Sequence, residues 1–199
     1  MCSGLHRRAV LAGLCATVLV PRLASASNLK LLTRDSWGAA RATKGLVDQV
    51  PNAILIHHTA ALSKPKKTLT AKMKSLQVFS QSREKLATGK IKPAWPDVPY
   101  HFVIDTFGLI AEGRDTMKKG DTNTGYDPTG YLQLALEGDF TKEKPSDAQL
   151  EATLDLVAVL VNKFELPLAS VYFHNEKAST ACPGGNLSVA LEEKLKTFR

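Results

Sequence analysis

Two adjacent histidines, His57 and His58, and a third, His174, share this chain with Cys182, which follows His174 by eight residues. Two neutral imidazoles and one thiolate suit Zn²⁺, whose filled d shell imposes no geometry and accepts borderline and soft donors. Three protein ligands leave a fourth position for water or substrate, which separates a catalytic zinc from a structural one. Other chemistry is open to the same residues. A lone cysteine is commonly a buried, inert thiol, and beside an imidazole it is also a candidate nucleophile.

The compartment decides what the cysteines can do. The chain opens MCSGLHRRAVLAGLCATVLVPRLASASN, in which Arg7 and Arg8 precede an uncharged apolar run from Ala9 to Val20, and Ala24-Ser25-Ala26 forms a small-residue cleavage site. This reads as a signal peptide over residues 1–26, and the paired arginines with Leu11 resemble a twin-arginine export signal. The apolar run is shorter than the roughly 20 residues that span a bilayer, and no later stretch reaches that length. The expected product is therefore exported, without a transmembrane segment, into the periplasm or the extracellular space. Cys2 and Cys15 leave with the signal, so Cys182 has no intramolecular disulfide partner.

Cleavage leaves residues 27–199, a length that suits one domain with its own core. The segment removed carries three arginines and no acids, which lowers the formal charge from +7 to +4. A mildly basic surface favours approach to an anionic polymer. Without a basic stripe or stacking motif it gives no case for nucleic acid.

The elements that must position the donors follow from the hydrophobic pattern. Ala53–Ile56 is an apolar run ending in His57 and His58, and SVYFH (170–174) ends in His174, so both histidine sites are predicted at strand ends. Neighbouring strands would bring them together. Leu69, Met73, Leu76 and Phe79 recur at intervals of three and four, which predicts a helix from about Leu69 to Leu86 with those residues in the core. YHFVID and LIAEGR flank Thr106-Phe107-Gly108 as a hairpin, and YLQLALEG reads as another strand. Ser146 with Gln149 forms a capping box ahead of a long helix ending near Phe164. A last helix is predicted over residues 187–198, and Pro183-Gly184-Gly185 makes the loop from His174 flexible enough to bring Cys182 back.

Several short motifs carry a family resemblance. Ser36-Trp37-Gly38-Ala39, Ile56-His57-His58-Thr59, Pro99-Tyr100-His101-Phe102, Gly113-Arg114, His174 and Thr180-Ala181-Cys182-Pro183-Gly184 occur in that order. This arrangement resembles the type-2 N-acetylmuramoyl-L-alanine amidases and the related peptidoglycan recognition proteins, and it spans essentially the whole mature chain. The resemblance implies a single α/β domain, a mixed central β-sheet flanked by helices, with a groove for peptidoglycan or muropeptide fragments. It implies Zn²⁺ held by His57, His174 and Cys182, with His57 chosen over His58. It also implies cleavage of the amide joining N-acetylmuramic acid to L-alanine of the stem peptide. Separately, a bacterial protein acting as a monomer is expected.

Two further residues are expected at the chemistry: Tyr100 as a phenol donor and Thr180 as a hydroxyl, either of which would hydrogen-bond a developing oxyanion or orient the water. Glu176 is a candidate proton relay, set against a solvated loop carboxylate. His58, Trp95 and Arg114 are candidate substrate contacts, by lining the groove, stacking on a sugar ring and pairing with an acidic peptide. Two rival readings differ in class. A recognition protein would bind the same polymer without cleaving it. A zinc deaminase, suggested by His174-Asn175-Glu176, would need a second cysteine three residues beyond the first, where this chain has Gly185.

Overall fold

Residues 29–86 and 89–198 are described by a computed structural model, and the predicted signal peptide lies outside them. In chain order the elements are β1 (Leu31–Leu32), α1 (Arg34–Trp37), β2 (Ala53–His58), α2 (Leu69–Gln81), β3 (Glu84–Lys85) and β4 (Ile91–Lys92). They continue with β5 (Phe102–Ile104), β6 (Ile110–Glu112), β7 (Tyr131–Leu136), α3 (Asp147–Lys163), β8 (Val171–Phe173) and α4 (Gly185–Phe198).

Six strands form one sheet in the order β1-β6-β5-β7-β2-β8. All neighbours are parallel except the β5–β6 hairpin, so the sheet is mixed. Parallel strands need covered faces, which is why β2 is buried at every residue. On one face Ile54, Ile56, Leu134 and Leu136 meet Leu156, Val157 and Leu160 of α3 and Leu187 and Leu191 of α4. On the other, Val103, Ala111 and Ala135 meet Leu69 and Met73 of α2, with Trp37 and Val98. The fold is that of a single domain, as expected.

Local signals set the helix ends. Ser146 accepts from the Gln149 backbone N–H while the Gln149 side chain accepts from the Ser146 N–H, the predicted capping box.

The predicted extent of α2 is corrected: it stops at Gln81, not near Leu86. The Ser80 carbonyl, which a longer helix would use, accepts instead from the buried Lys92 ammonium and the Trp95 N–H. Lys92 also donates to the carbonyls of Ser82 and Pro93. Phe79 is not core either; it is 40% exposed, with the Lys92 ammonium 5.1 Å from its ring centre.

Candidate metal centre

Strand register assembles the site. Ile56 pairs with Phe173 across the parallel β2–β8 ladder, so the next residues, His57 and His174, fall side by side. Their ring centres are 4.3 Å apart, and both side chains are buried. His174 follows the last residue of β8 and begins a short 3-10 turn instead of ending the strand as predicted.

The chain then loops back to Cys182 and reaches this position because Gly184 removes an obstacle. Its φ is +92°, and a Cβ there would sit 2.4 Å from the Phe140 carbonyl carbon. The thiol reaches within 3.7 Å of His57 Nδ1, and the His58 backbone N–H donates to Sγ at 3.3 Å. Donor atoms of His57, His174 and Cys182 all lie within 4.8 Å of one another. That limit is close to twice a zinc–donor bond of about 2.0–2.3 Å.

Hydrogen bonding supports a cation at this point. His174 Nε2 lies 2.8 Å from Thr124 Oγ1, and with Nε2 as the donor Nδ1 keeps its lone pair. That Nδ1 is buried and has no partner. A buried acceptor left alone is costly, and an ion between the imidazoles and the thiol relieves it. Thr124 Oγ1 bonds in turn to Thr122 Oγ1 at 2.8 Å, and Tyr126 packs edge-on against His174 with ring centres 5.2 Å apart. These contacts hold the plane of the ring, as supporting partners of metal ligands do.

Electrostatics points the same way. Burial, and then the neighbouring His174, hold His57 well below its ordinary range, and burial lowers His174 to about 4. Both imidazoles are thus neutral, with lone pairs to give. Burial pushes the Cys182 thiol up to about 12, against the lowering effect of the His58 N–H. Only a bound cation would make the thiolate the stable form near neutral pH.

The three residues open into a cleft of 160 Å³, whose walls include His58, Trp95, Tyr100, Thr124 and Gln133. Tyr100 lies beside His57 with ring centres 5.4 Å apart, and its hydroxyl bonds to no described protein group. Burial, and then the neighbouring cysteine, raise its pKa, so it is a proton donor in hydrogen bonds and not a base. His58 accepts from the Phe140 N–H through Nδ1 at 3.2 Å. Trp95 borders the cleft but is only 8% exposed, with the Lys92 ammonium 4.5 Å from its ring centre.

Three of the residues singled out in the sequence hold their neighbours in place. Thr180 stands beside the cysteine, where its hydroxyl accepts from the Cys182 N–H two residues on, a local turn that shapes the cysteine loop. Arg114 does not face a ligand. It is 3% exposed and donates to the carbonyls of Val98, Asp97 and Lys119 and to the Asp121 carboxylate, bracing two loop segments, 97–98 and 119–121. Glu176 is exposed, as the solvated-carboxylate reading has it, and its carboxylate accepts from the Phe173 N–H and caps the turn.

Thr124, Tyr126 and Gln133 at the site were not anticipated. The only hint was the polar run DTNTGYD between two strands, which reads as loop.

A mixed, doubly covered sheet with two imidazoles and a thiol at the carboxyl ends of its strands defines a peptidoglycan recognition-type fold with a candidate metal centre. The chain belongs to the N-acetylmuramoyl-L-alanine amidase family, whose model matches residues 47–185. It is similar in structure to Drosophila peptidoglycan recognition protein SD, with a TM-score of 0.71 and 25% identity over 83% of this chain and 94% of that one. It is 27% identical over 172 residues to the human N-acetylmuramoyl-L-alanine amidase, covering 83% of this chain and 27% of that protein. A tyrosine-to-phenylalanine mutant of Drosophila PGRP-LB, solved in complex with tracheal cytotoxin, superposes with a TM-score of 0.66 and 28% identity over 83% of this chain and 95% of that one. Among the described residues no helix is long and apolar enough to cross a membrane.

Proposed function

We propose that this protein is a zinc hydrolase that cleaves the amide between N-acetylmuramic acid and the L-alanine of the peptidoglycan stem peptide. The observation that carries the reading is the convergence of His57, His174 and Cys182, remote in sequence, on one point at the wall of a cleft. Bound zinc lowers the pKa of its water to about 7 and polarises a carbonyl.

The chain's own groups support that chemistry. The His58 N–H stabilises the Cys182 thiolate, and Thr124 orients the His174 ring. Tyr100, always protonated near neutral pH, donates from the cleft wall to the oxyanion of the tetrahedral species, a contribution of roughly 3 kcal/mol.

The same reading makes residues 1–26 an export signal and residues 27–199 the amidase domain, acting on peptidoglycan or muropeptides outside the cytoplasm of a bacterium. Family membership alone is compatible with a binding protein that does not hydrolyse, since the similar proteins include both recognition proteins and amidases. Retention of all three donors together with Tyr100 favours hydrolysis.

The test is direct. Zinc-loaded protein comprising residues 27–199 is incubated with defined muropeptides and the products are weighed. Free stem peptide, lost on chelation and restored by zinc, is the expected result. Tight binding of intact muropeptide without release would favour the recognition reading.

A further inference from the structure

Four buried side-chain polar atoms among the described residues have no hydrogen-bond partner, and three of them, His57 Nε2, His174 Nδ1 and Gln133 Nε2, belong to residues lining the same cleft. A cation answers the lone pair on His174. Gln133 Nε2 is different in kind. It carries two N–H donors and no lone pair, so it ligates no metal and is satisfied only by an acceptor oxygen.

Gln133 is fixed in place. It lies on β7, is fully buried, and its Oε1 accepts from the Tyr126 hydroxyl at 3.2 Å, which commits the carbonyl end of the amide and leaves the nitrogen end unpaired. Gly120 makes room for it, since a Cβ there would lie 2.1 Å from Gln133 Nε2. The β2–β7 register pairs Leu55 with Gln133 and His57 with Ala135. Side chains alternate between sheet faces, so Gln133 shares the face of His57 and stands two residues back along the sheet, roughly 7 Å.

We infer that Gln133 is a substrate-binding residue whose side-chain N–H groups donate to an amide oxygen of the substrate, set off from the scissile carbonyl by about the span of two extended residues. This rests on the amidase reading above. Two substrate groups carry such an oxygen at that remove: the carbonyl of the second stem-peptide residue and the N-acetyl carbonyl of the muramic acid. Either would make Gln133 a reader of substrate length or of acetylation. The metal site selects the bond, and Gln133 selects what lies beside it.

The experiment uses zinc-loaded protein and a hydrolysis-resistant muropeptide in which a ketomethylene replaces the scissile amide, with affinity measured by titration calorimetry. Two derivatives separate the sources: one truncated after the first stem residue, the other with hydroxyl in place of the acetamido group. Wild type is expected to lose about tenfold in affinity for one derivative. Gln133→Glu keeps an acceptor for Tyr126 but removes the donors; it is expected to lose about as much against the parent ligand and nothing further against that derivative.

Gln133→Met should reproduce this, with zinc content and melting temperature checked for each variant. If wild type binds both derivatives as tightly as the parent, the inference is overturned without recourse to any variant. Independent, multiplying losses in protein and ligand overturn it as well. Release of stem peptide by wild type in the earlier assay keeps the amidase reading standing in both cases, whereas failure to bind the parent ligand or to cleave its amide counterpart counts against both.

Discussion

His57 and His174 lie side by side, ring centres 4.3 Å apart, because Ile56 and Phe173 are partners in a parallel ladder and each chain advances one residue further. The cluster of candidate donors is thus a product of register. A one-residue slip in a strand turns every side chain to the opposite face, so the buried apolar residues that fix the pairing of β2 with β8 also fix the imidazoles.

Removing one donor should empty the site without unfolding the domain. Cys182 is only half-buried and lies outside both hydrophobic clusters. Cys182→Ala is expected to lower zinc affinity by more than the 10–100-fold that loss of a supporting partner costs, and to abolish muropeptide cleavage. Metal analysis after dialysis, with circular dichroism unchanged, checks this.

Thr124→Val tests the supporting hydrogen bond to His174 Nε2. The expected loss is about 10–100-fold in zinc affinity, read by competition with a chromophoric chelator. An unchanged affinity would mean that the imidazole is held by packing against Tyr126 alone.

Tyr100→Phe separates chemistry from metal binding. Zinc content should stay at the wild-type value while kcat falls about 10²–10³-fold. A change confined to KM would assign Tyr100 to substrate binding instead.

Stability in acid carries a signature of the buried His101. Its Nδ1 accepts from the Gln133 N–H and its Nε2 bonds to the Lys118 carbonyl, and burial lowers its pKa to about 4. The unfolded chain takes up the proton near pH 6.5 and the folded one only near pH 4. Stability is therefore complete above about pH 6.5, falls as pH drops toward 4, and levels off below; the loss is about 3 kcal/mol. In metal-free protein His174 adds in the same direction. Urea midpoints across this range check the sign, and a flat profile would contradict it.

Arg114 distinguishes a brace from a substrate contact. Replacing it with Leu leaves the Asp121 carboxylate and three carbonyls without their donor. A destabilisation of about 3–5 kcal/mol is expected, seen as a lower melting temperature. A stable variant with a raised KM would restore the contact predicted from sequence.

Much of this site was legible because its parts lie on regular elements. Strand-end histidines follow from apolar runs, and the lone thiol follows from counting cysteines; the capping box at Ser146 is local by nature. What the sequence concealed depends on long-range partners. Arg114 looks like a surface charge until three loop carbonyls are brought to it, and α2 looks longer until Lys92, eleven residues beyond its end, takes the Ser80 and Ser82 carbonyls. The choice between Thr180 and Thr124 depends on loop geometry, since both are hydroxyls in polar, irregular stretches.

X-ray absorption at the zinc K-edge tests the coordination most directly. Zinc-loaded protein should give two nitrogen scatterers at about 2.0–2.1 Å, one sulfur at about 2.3 Å and one further light atom at the open position. A shell without sulfur, or one filled by four protein donors, would contradict the proposal that His57, His174 and Cys182 hold an ion still open to substrate.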